Sequence, residues 1–187
     1  MTNLRYSYDR PQRAFHWIMA ATIFVAFALG LWAWSLPPKT PLRVNLLFAH
    51  KSLGMLTLVL LPLRVAYRVA VGEPAFRIPL DRLAKGASHA AHGLLYLLML
   101  VLPVSGYVMS GAGGHPIPFF GLFNWPALVA QDKELSQSAS GMHFWAAWAF
   151  VAILALHLAA VVWHERVKRD GVLQRMTRDD VGQASAG

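Results

Sequence analysis

The sequence predicts an all-α integral membrane protein, a bundle of four transmembrane helices. Of its 187 residues, 56% are hydrophobic and only 14% are charged, whereas soluble domains carry about 25% charged residues. Four apolar stretches are each long enough to cross a bilayer, because about 20 helical residues span the hydrocarbon core. We find no internal repeat and no sign of a second domain, so residues 1–187 are expected to form one domain.

The four predicted spans are joined by connections of unequal length, the longest of them before the last span. They cover about residues 15–36, 44–71, 88–110 and 141–164. The first is longer than the apolar core of a signal peptide and lacks a convincing cleavage site, so we expect it to stay in the protein. Prolines end the first span, and GAGG at 111–114 ends the third.

The segments outside the spans differ in character. Residues 115–140 are rich in apolar and aromatic side chains, which predicts a re-entrant or interfacial cap and not a flexible linker. The tail from Glu165 onward is charged and then small and polar, and its end is expected to fray.

Composition excludes several kinds of site. The chain has no cysteine, which excludes iron–sulfur clusters, disulfides, thiolate metal sites and a covalently attached haem. The net charge of +8 could indicate nucleic-acid binding, but the basic residues flank the apolar spans. Membrane orientation explains them better.

The distribution of Lys and Arg predicts the orientation. Three lie in the N-terminal segment, five in the region 64–85 that includes Arg77, Arg82 and Lys85, and five in the tail; the other side holds four. Positive residues concentrate in the cytoplasm, so thirteen against four places both termini there.

Histidines in the last span indicate chemistry. His143 and His157 are fourteen residues apart, which is nearly four helical turns, so both rings share one face about 21 Å apart. One such histidine is more often an ordinary core residue. Two of them, costly in a membrane unless partnered, suggest two buried cofactors at two depths.

Depth in the membrane identifies a partner for His143 but not for His157. His50 enters the second span from the same side as His143, so these two form the economical outer pair. The possible inner partners of His157 are His16, His89 and His92, and spacing alone leaves this choice open. Gly54 and Gly141 lie beside the outer pair and remove side chains where a flat cofactor would approach, although glycines also serve helix packing.

Several short motifs, taken together and in order, give the chain a family resemblance. They are FHW at 15–17, AHKSLGM at 49–55, Arg64 with Arg68, SHAAH at 88–92, LPVSG at 102–106, and GMH, ALH and WH in the last span. Over nearly its whole length the chain resembles the bacterial cytochrome b561 family, small four-helix di-haem membrane proteins within the wider cytochrome b and nickel-hydrogenase b-subunit group.

The resemblance implies two non-covalent b-type haems, each held by two histidines. It implies the pairs His16 with His157 on the cytoplasmic side and His50 with His143 on the periplasmic side. His89 and His92 then become candidates for tuning a haem or binding quinone, as does His164, which otherwise reads as an interfacial polar residue. Arg64 is expected near the inner haem, where it holds a propionate or snorkels toward the boundary.

Iron with two axial histidines has no position for oxygen, which predicts outer-sphere electron transfer. The family resemblance extends to a superoxide oxidase, so the leading hypothesis is a multi-pass protein of the bacterial inner membrane that passes electrons from periplasmic superoxide to ubiquinone. Lys39, Arg43 and Lys51 lie in a stretch without acidic residues, 35–51, and could attract the anion, although such residues are also ordinary in membrane loops.

Two other functions are compatible with the histidines. The first is an electron-transfer b-subunit that exchanges electrons between quinone and a separate redox partner. The second, a transporter with a histidine proton relay, is disfavoured because four spans show no inverted repeat. We expect membrane lipid, quinone and a redox partner as the binding partners, and no nucleic acid.

Overall fold

A computed structural model describes residues 5–76, 78 and 81–178 and contains four long helices, α1 to α4. All four are long and apolar enough to cross a membrane, which confirms the predicted fold class. Between α3 and α4 lies a two-stranded hairpin, and after α4 come a π-helical turn and the short helix α5. The bounds are α1 Arg10–Ser35, α2 Pro41–Val71, α3 Arg82–Ala112, β1 Ile117–Phe119, β2 Phe123–Trp125, α4 Lys133–Trp163, the π-helical turn His164–Lys168 and α5 Gln174–Thr177.

Three helices begin with an aspartate cap that the apolar spans did not reveal. The side chain of Asp9 accepts a hydrogen bond from the Gln12 amide, and Asp81 and Asp132 cap α3 and α4 in the same way. Such caps satisfy amide groups that have no partner inside the helix. Helix α4 therefore starts at Lys133, and the predicted 115–140 loop is shorter than expected because its last eight residues are helical.

The helices pack in two pairs. Helix α1 packs along α2 and α3 along α4, while α2 and α3 join the pairs. A buried cluster at mid-height takes Met19 from α1, Leu61 from α2, Leu95 and Met99 from α3 and Phe150 from α4. Close packing of these side chains gives the bundle its rigid centre. This cluster separates the two ends of the bundle, which hold different sets of histidines.

The first end carries the hairpin, and we call it the hairpin end. The hydroxyl of Ser52, which is fully buried, donates to the Pro118 carbonyl at 3.2 Å and accepts from the Phe120 amide at 3.0 Å. The turn places Phe120 and Gly121 at positive φ, 52° and 77°, where glycine is favoured. Residues 116–125 thus form a cap anchored on the side of α2.

The opposite end, which we call the termini end, joins the described N-terminal segment and α5 to the α2–α3 connection. The Arg175 guanidinium donates to the Pro74 carbonyl at 2.6 Å and stacks over the Phe76 ring at 3.7 Å. The Tyr8 amide donates to the Arg175 carbonyl at 2.9 Å. Burial lowers the pKa of the Arg175 guanidinium, while Tyr8 and Glu73 oppose that shift.

Two expectations from the sequence concern residues beyond those described. Arg77 of the predicted basic loop, and residues 179–187, which were expected to fray, lie outside the described residues.

Candidate cofactor sites

The hairpin end brings two histidines face to face. His50 of α2 and His143 of α4 have ring centroids 6.0 Å apart, with their planes crossed at 82°. Helices α2 and α4 are not consecutive in the chain, so the folding of the bundle brings these two rings together. The pair that depth predicted is therefore assembled.

Each of these rings is oriented by a backbone carbonyl of a third helix. The Nδ1 atom of His50 lies 2.7 Å from the Ala26 carbonyl oxygen. The Nδ1 atom of His143 lies 2.9 Å from the Leu102 carbonyl and 3.1 Å from the Ser105 hydroxyl. A carbonyl only accepts, so Nδ1 carries the proton and the Nε2 lone pair is free. Histidines that bind metal ions are held in this way.

A cavity of about 440 Å³ lies between α1 and α4 and includes both rings. This volume is in the range of small-molecule and cofactor pockets. Its wall is mainly apolar, and two aromatic pairs bridge the helices: Phe27 with Trp148, at 6.5 Å between centroids, and Trp34 with Phe144, at 6.4 Å. The hairpin contributes Ile117.

Two of the three predicted anion-attracting residues line this cavity. Arg43 donates to the Leu36 carbonyl at 2.7 Å, and Lys51 donates to the Pro116 carbonyl at 3.1 Å. Lys39 is exposed, has a φ of 65° and is not part of the wall. The structure thus separates Lys39 from the other two.

The termini end gathers three histidines. The rings of His92 on α3 and His157 on α4 are 5.3 Å apart, with planes crossed at 82°. His16 on α1 lies within electrostatic range of both. The partner of His157, which spacing did not decide, can therefore be either His16 or His92. His89 is exposed and lies one turn away.

The three rings have different hydrogen-bond partners. Arg64 donates from Nη2 to Nδ1 of His16 at 3.1 Å, so this ring carries its proton on Nε2. Nδ1 of His92 lies 2.7 Å from the Ser88 carbonyl of its own helix. Within the described part of the chain, the His157 ring makes no hydrogen bond of the same kind. Only His92 has the proton arrangement seen at the hairpin end.

Arg64 is directed into the bundle. Besides His16, its guanidinium lies 3.9 Å from the Met19 sulfur and 5.4 Å from the centroid of the Tyr96 ring. Arg64 therefore lies beside the termini-end histidines, and its side chain does not reach outward as a snorkelling residue would.

His164 has a partner that the sequence did not reveal. Its Nδ1 atom lies 2.6 Å from the Asp170 carboxylate, beyond the π-helical turn that ends α4. The sequence also missed Gly30 and Ser105, which contact His50 and His143. The motif LPVSG contains Ser105, three residues after Leu102. Nothing in the motif itself indicates that the Leu102 carbonyl binds a histidine.

The hairpin-end residues fit a b-type haem. They supply two opposed rings with free Nε2 lone pairs, an apolar cavity between them, and two cations that could neutralise the carboxylates of such a group. At the termini end three rings and Arg64 supply the same kinds of group, but the choice of rings is not fixed by contact.

Comparisons with known proteins identify the family of the chain. The sequence pattern of prokaryotic cytochrome b561 matches residues 7–179. The chain is 36% identical to cytochrome b561 homolog 2 of Escherichia coli over 94% of its own length and 93% of that protein. It is 27% identical to cytochrome b562 of Cereibacter sphaeroides, over 91% of this chain and 95% of that one. It is 24% identical to a probable superoxide oxidase, CybB, of Yersinia pestis, over 90% and 94%.

Proposed function

We propose that this chain, which belongs to the prokaryotic cytochrome b561 family, passes electrons from superoxide on the periplasmic side of the bacterial inner membrane to ubiquinone. Members of the family are membrane electron-transfer proteins that bind b-type haem. The observation that carries the proposal is the opposed pair His50 and His143, oriented for iron at the edge of an apolar cavity.

We assign two haems to the two histidine sites. His50 and His143 would hold one, and His157 with His16 would hold the other, as the family resemblance implies; His92 is the alternative partner. Each haem, when bound, would supply a one-electron carrier. The protein then determines access, orientation and charge at each site.

The residues at the hairpin end do three things in this function. The carbonyls of Ala26 and Leu102 keep the proton on Nδ1 of each ring and leave Nε2 free for iron. The apolar wall excludes water, which strengthens every electrostatic interaction inside the site. Arg43 and Lys51 give the cavity a positive charge.

Positive charge at the cavity supports a small anionic donor. Clefts lined by one sign of charge raise the association rate of oppositely charged ligands. Superoxide is such an anion, and a superoxide oxidase is among the relatives. Lys39 lies outside the wall but within the same acid-free stretch, so it could contribute to the field at longer range.

At the termini end we place the acceptor. A quinone needs hydrogen-bond donors at the edge of an apolar pocket. His92 is partly buried at the level of His157, and its Nε2 lone pair would accept from a quinol hydroxyl. His164 lies two turns beyond His157 and, when both ring nitrogens are protonated, would donate from Nε2 while Nδ1 faces Asp170. His89 is exposed and would serve only a ligand approaching from outside the bundle.

The proposed direction depends on the predicted orientation, with both termini in the cytoplasm. Reporter fusions after residue 130 and after residue 178 should report opposite sides of the membrane, the first periplasmic and the second cytoplasmic. A cytoplasmic signal after residue 130 would reverse the assignment of both haem sites.

One observation favours a second function, an electron-transfer subunit that docks onto a separate redox protein. The hairpin end exposes large apolar side chains: Leu122 and Leu128 are each 78% accessible, and Phe123 is 48% accessible. Exposed apolar surface often marks an interaction site. Here it can equally meet the lipid interface, because the cap is anchored on the side of α2.

Stopped-flow mixing tests the proposal. The purified protein, first shown by its reduced-minus-oxidised spectrum to hold two low-spin haems per chain, is mixed in oxidised form with superoxide. We expect haem reduction faster than superoxide dismutation, and reoxidation when a soluble ubiquinone is added. A two-haem protein that superoxide does not reduce would favour the docking subunit, and a protein without haem would refute both functions.

A further inference from the structure

The two hairpin-end histidines are held by the same local arrangement, although they lie on different helices. The ring of His50 approaches the Ala26 carbonyl of α1, and the ring of His143 approaches the Leu102 carbonyl of α3. Four residues after each carbonyl there is a glycine, Gly30 and Gly106. A Cβ atom on each glycine would meet the same ring that its carbonyl binds.

Helix geometry explains this spacing. The regular helical partner of a carbonyl is the amide four residues later, and the carbonyl oxygen keeps a second lone pair for another donor. A Cβ atom points back toward the start of its helix. A side chain four residues after the carbonyl would therefore stand where an incoming ring must lie.

The distances show how little room there is. A Cβ atom on Gly30 would lie 2.8 Å from Cε1 and 2.9 Å from Nδ1 of His50. A Cβ atom on Gly106 would lie 3.3 Å from Cε1 and 3.4 Å from Nδ1 of His143. The first contact is too short for any real Cβ atom, and the second is tight. Replacement of Gly30 must therefore move the His50 ring or separate α1 from α2.

The termini end has no such arrangement among its described glycines. Gly86 and Gly93, which precede and follow His92 on α3, have open space where a Cβ atom would be. The carbonyl that His92 uses belongs to Ser88 of the same helix. A glycine close to each ring therefore distinguishes His50 and His143 from the rings of the termini end.

We infer that Gly30 and Gly106 are positioning residues that keep the proton of His50 and His143 on Nδ1 and fix the two ring planes at their observed crossing of 82°. This inference rests on the proposed haem. The crossing angle of two axial imidazoles governs the electronic anisotropy of low-spin ferric haem, so these glycines determine the spectroscopic type of the hairpin-end haem as well as its affinity.

The experiment compares Gly30→Ala and Gly106→Ala with the matched control Gly93→Ala. Electron paramagnetic resonance of the oxidised protein identifies the hairpin-end haem as the signal that His50→Ala removes. With crossed planes we expect a single large-g signal in the parent and the control. Gly30→Ala should shift it toward a rhombic, three-g spectrum and weaken haem affinity by about 10- to 100-fold, the usual effect of losing the groups that orient a metal ligand. Gly106→Ala should cause a smaller change of the same kind.

The outcomes separate this inference from the proposed function. An unchanged signal and affinity in both alanine variants would overturn the inference, and so would equal losses in Gly30→Ala and Gly93→Ala, since these would indicate helix packing alone. If Gly30→Ala does not assemble, Gly106→Ala decides by the same spectrum, because its contact is mild enough for the neighbouring ring to yield. A parent protein without haem refutes the proposed function instead.

Discussion

The hairpin end and the termini end both bring histidines together, but different groups hold the rings. At the hairpin end, His50 and His143 donate to backbone carbonyls of neighbouring helices. At the termini end, His16 accepts from the side chain of Arg64, and His92 donates within its own helix. The first pair is held by carbonyls of neighbouring helices, whereas in the second set one ring is held by a side chain and another by a carbonyl of its own helix.

This difference bears on how readily each end can bind iron. The free Nε2 lone pairs of the hairpin end need no rearrangement. At the termini end, His16 must move its proton from Nε2 to Nδ1 and release Arg64 before it can act as a ligand through Nε2. The released guanidinium would then be available to a carboxylate of the bound group. We therefore expect the hairpin end to bind haem more tightly.

The largest expected effect comes from removing a ligand at the fixed site. His143→Ala should remove the hairpin-end haem completely and leave the other, because no third histidine lies beside this pair among the described residues. The haem-to-protein ratio should fall from two to one, measured by the pyridine haemochrome. His115→Ala, whose side chain is exposed, is the control and should keep both haems.

If His143→Ala keeps a haem-to-protein ratio of two, the contrast between a fixed and a less fixed end is wrong. It would mean that the hairpin end can recruit another ligand and is less fixed than its hydrogen bonds indicate.

The next prediction separates the two candidate partners of His157. His16→Ala should remove the termini-end haem, as the family resemblance implies, while His92→Ala should keep it with an altered potential. The same haem ratio and a redox titration distinguish these results. If His92→Ala loses the haem and His16→Ala keeps it, the ring pair in contact, His92 with His157, is the ligand pair.

The two ends also differ in how far the sequence predicts them. The spans, the two depths and the pair His50 with His143 follow from periodicity and spacing, because membrane helices run nearly straight from one side to the other. The partner of His157 does not follow, since three histidines share one depth and only side-chain packing distinguishes them. The role of Gly30 was hidden for a similar reason, because it depends on a ring from another helix.

A smaller effect is expected from charge at the hairpin end. Replacing Lys39, Arg43 and Lys51 together by Gln should slow haem reduction by superoxide about tenfold at low salt and flatten the dependence on ionic strength, because steering is a screened rate effect. Arg43→Gln with Lys51→Gln should account for most of the loss, since only these two line the cavity. The haem-to-protein ratio is measured in the same samples, and the rates are compared per bound hairpin-end haem.

Lys133→Gln, at the start of α4 at the same end, is a control that removes one positive charge outside the cavity wall. A variant at this position that slows reduction as much as the triple variant would show a general charge effect and not steering at the cavity.

The smallest expected effect concerns two glycines of the hairpin end that contact no ring. Gly54 and Gly141 both have open space where a Cβ atom would lie, but only Gly54 lines the cavity. Alanine has the higher helix propensity, so both Gly54→Ala and Gly141→Ala should leave the haem-free protein as stable as the parent or slightly more stable, by about 1 kcal/mol at most.

If the space beside Gly54 is occupied by haem, Gly54→Ala alone should weaken haem binding, by an expected few-fold. Gly141→Ala should bind haem as the parent does. Haem titration of the two variants, followed by absorbance, measures this difference. Equal affinities would place the bound haem away from Gly54, toward the α1 side of the cavity, and would leave Gly30 as the glycine on which the hairpin-end site depends.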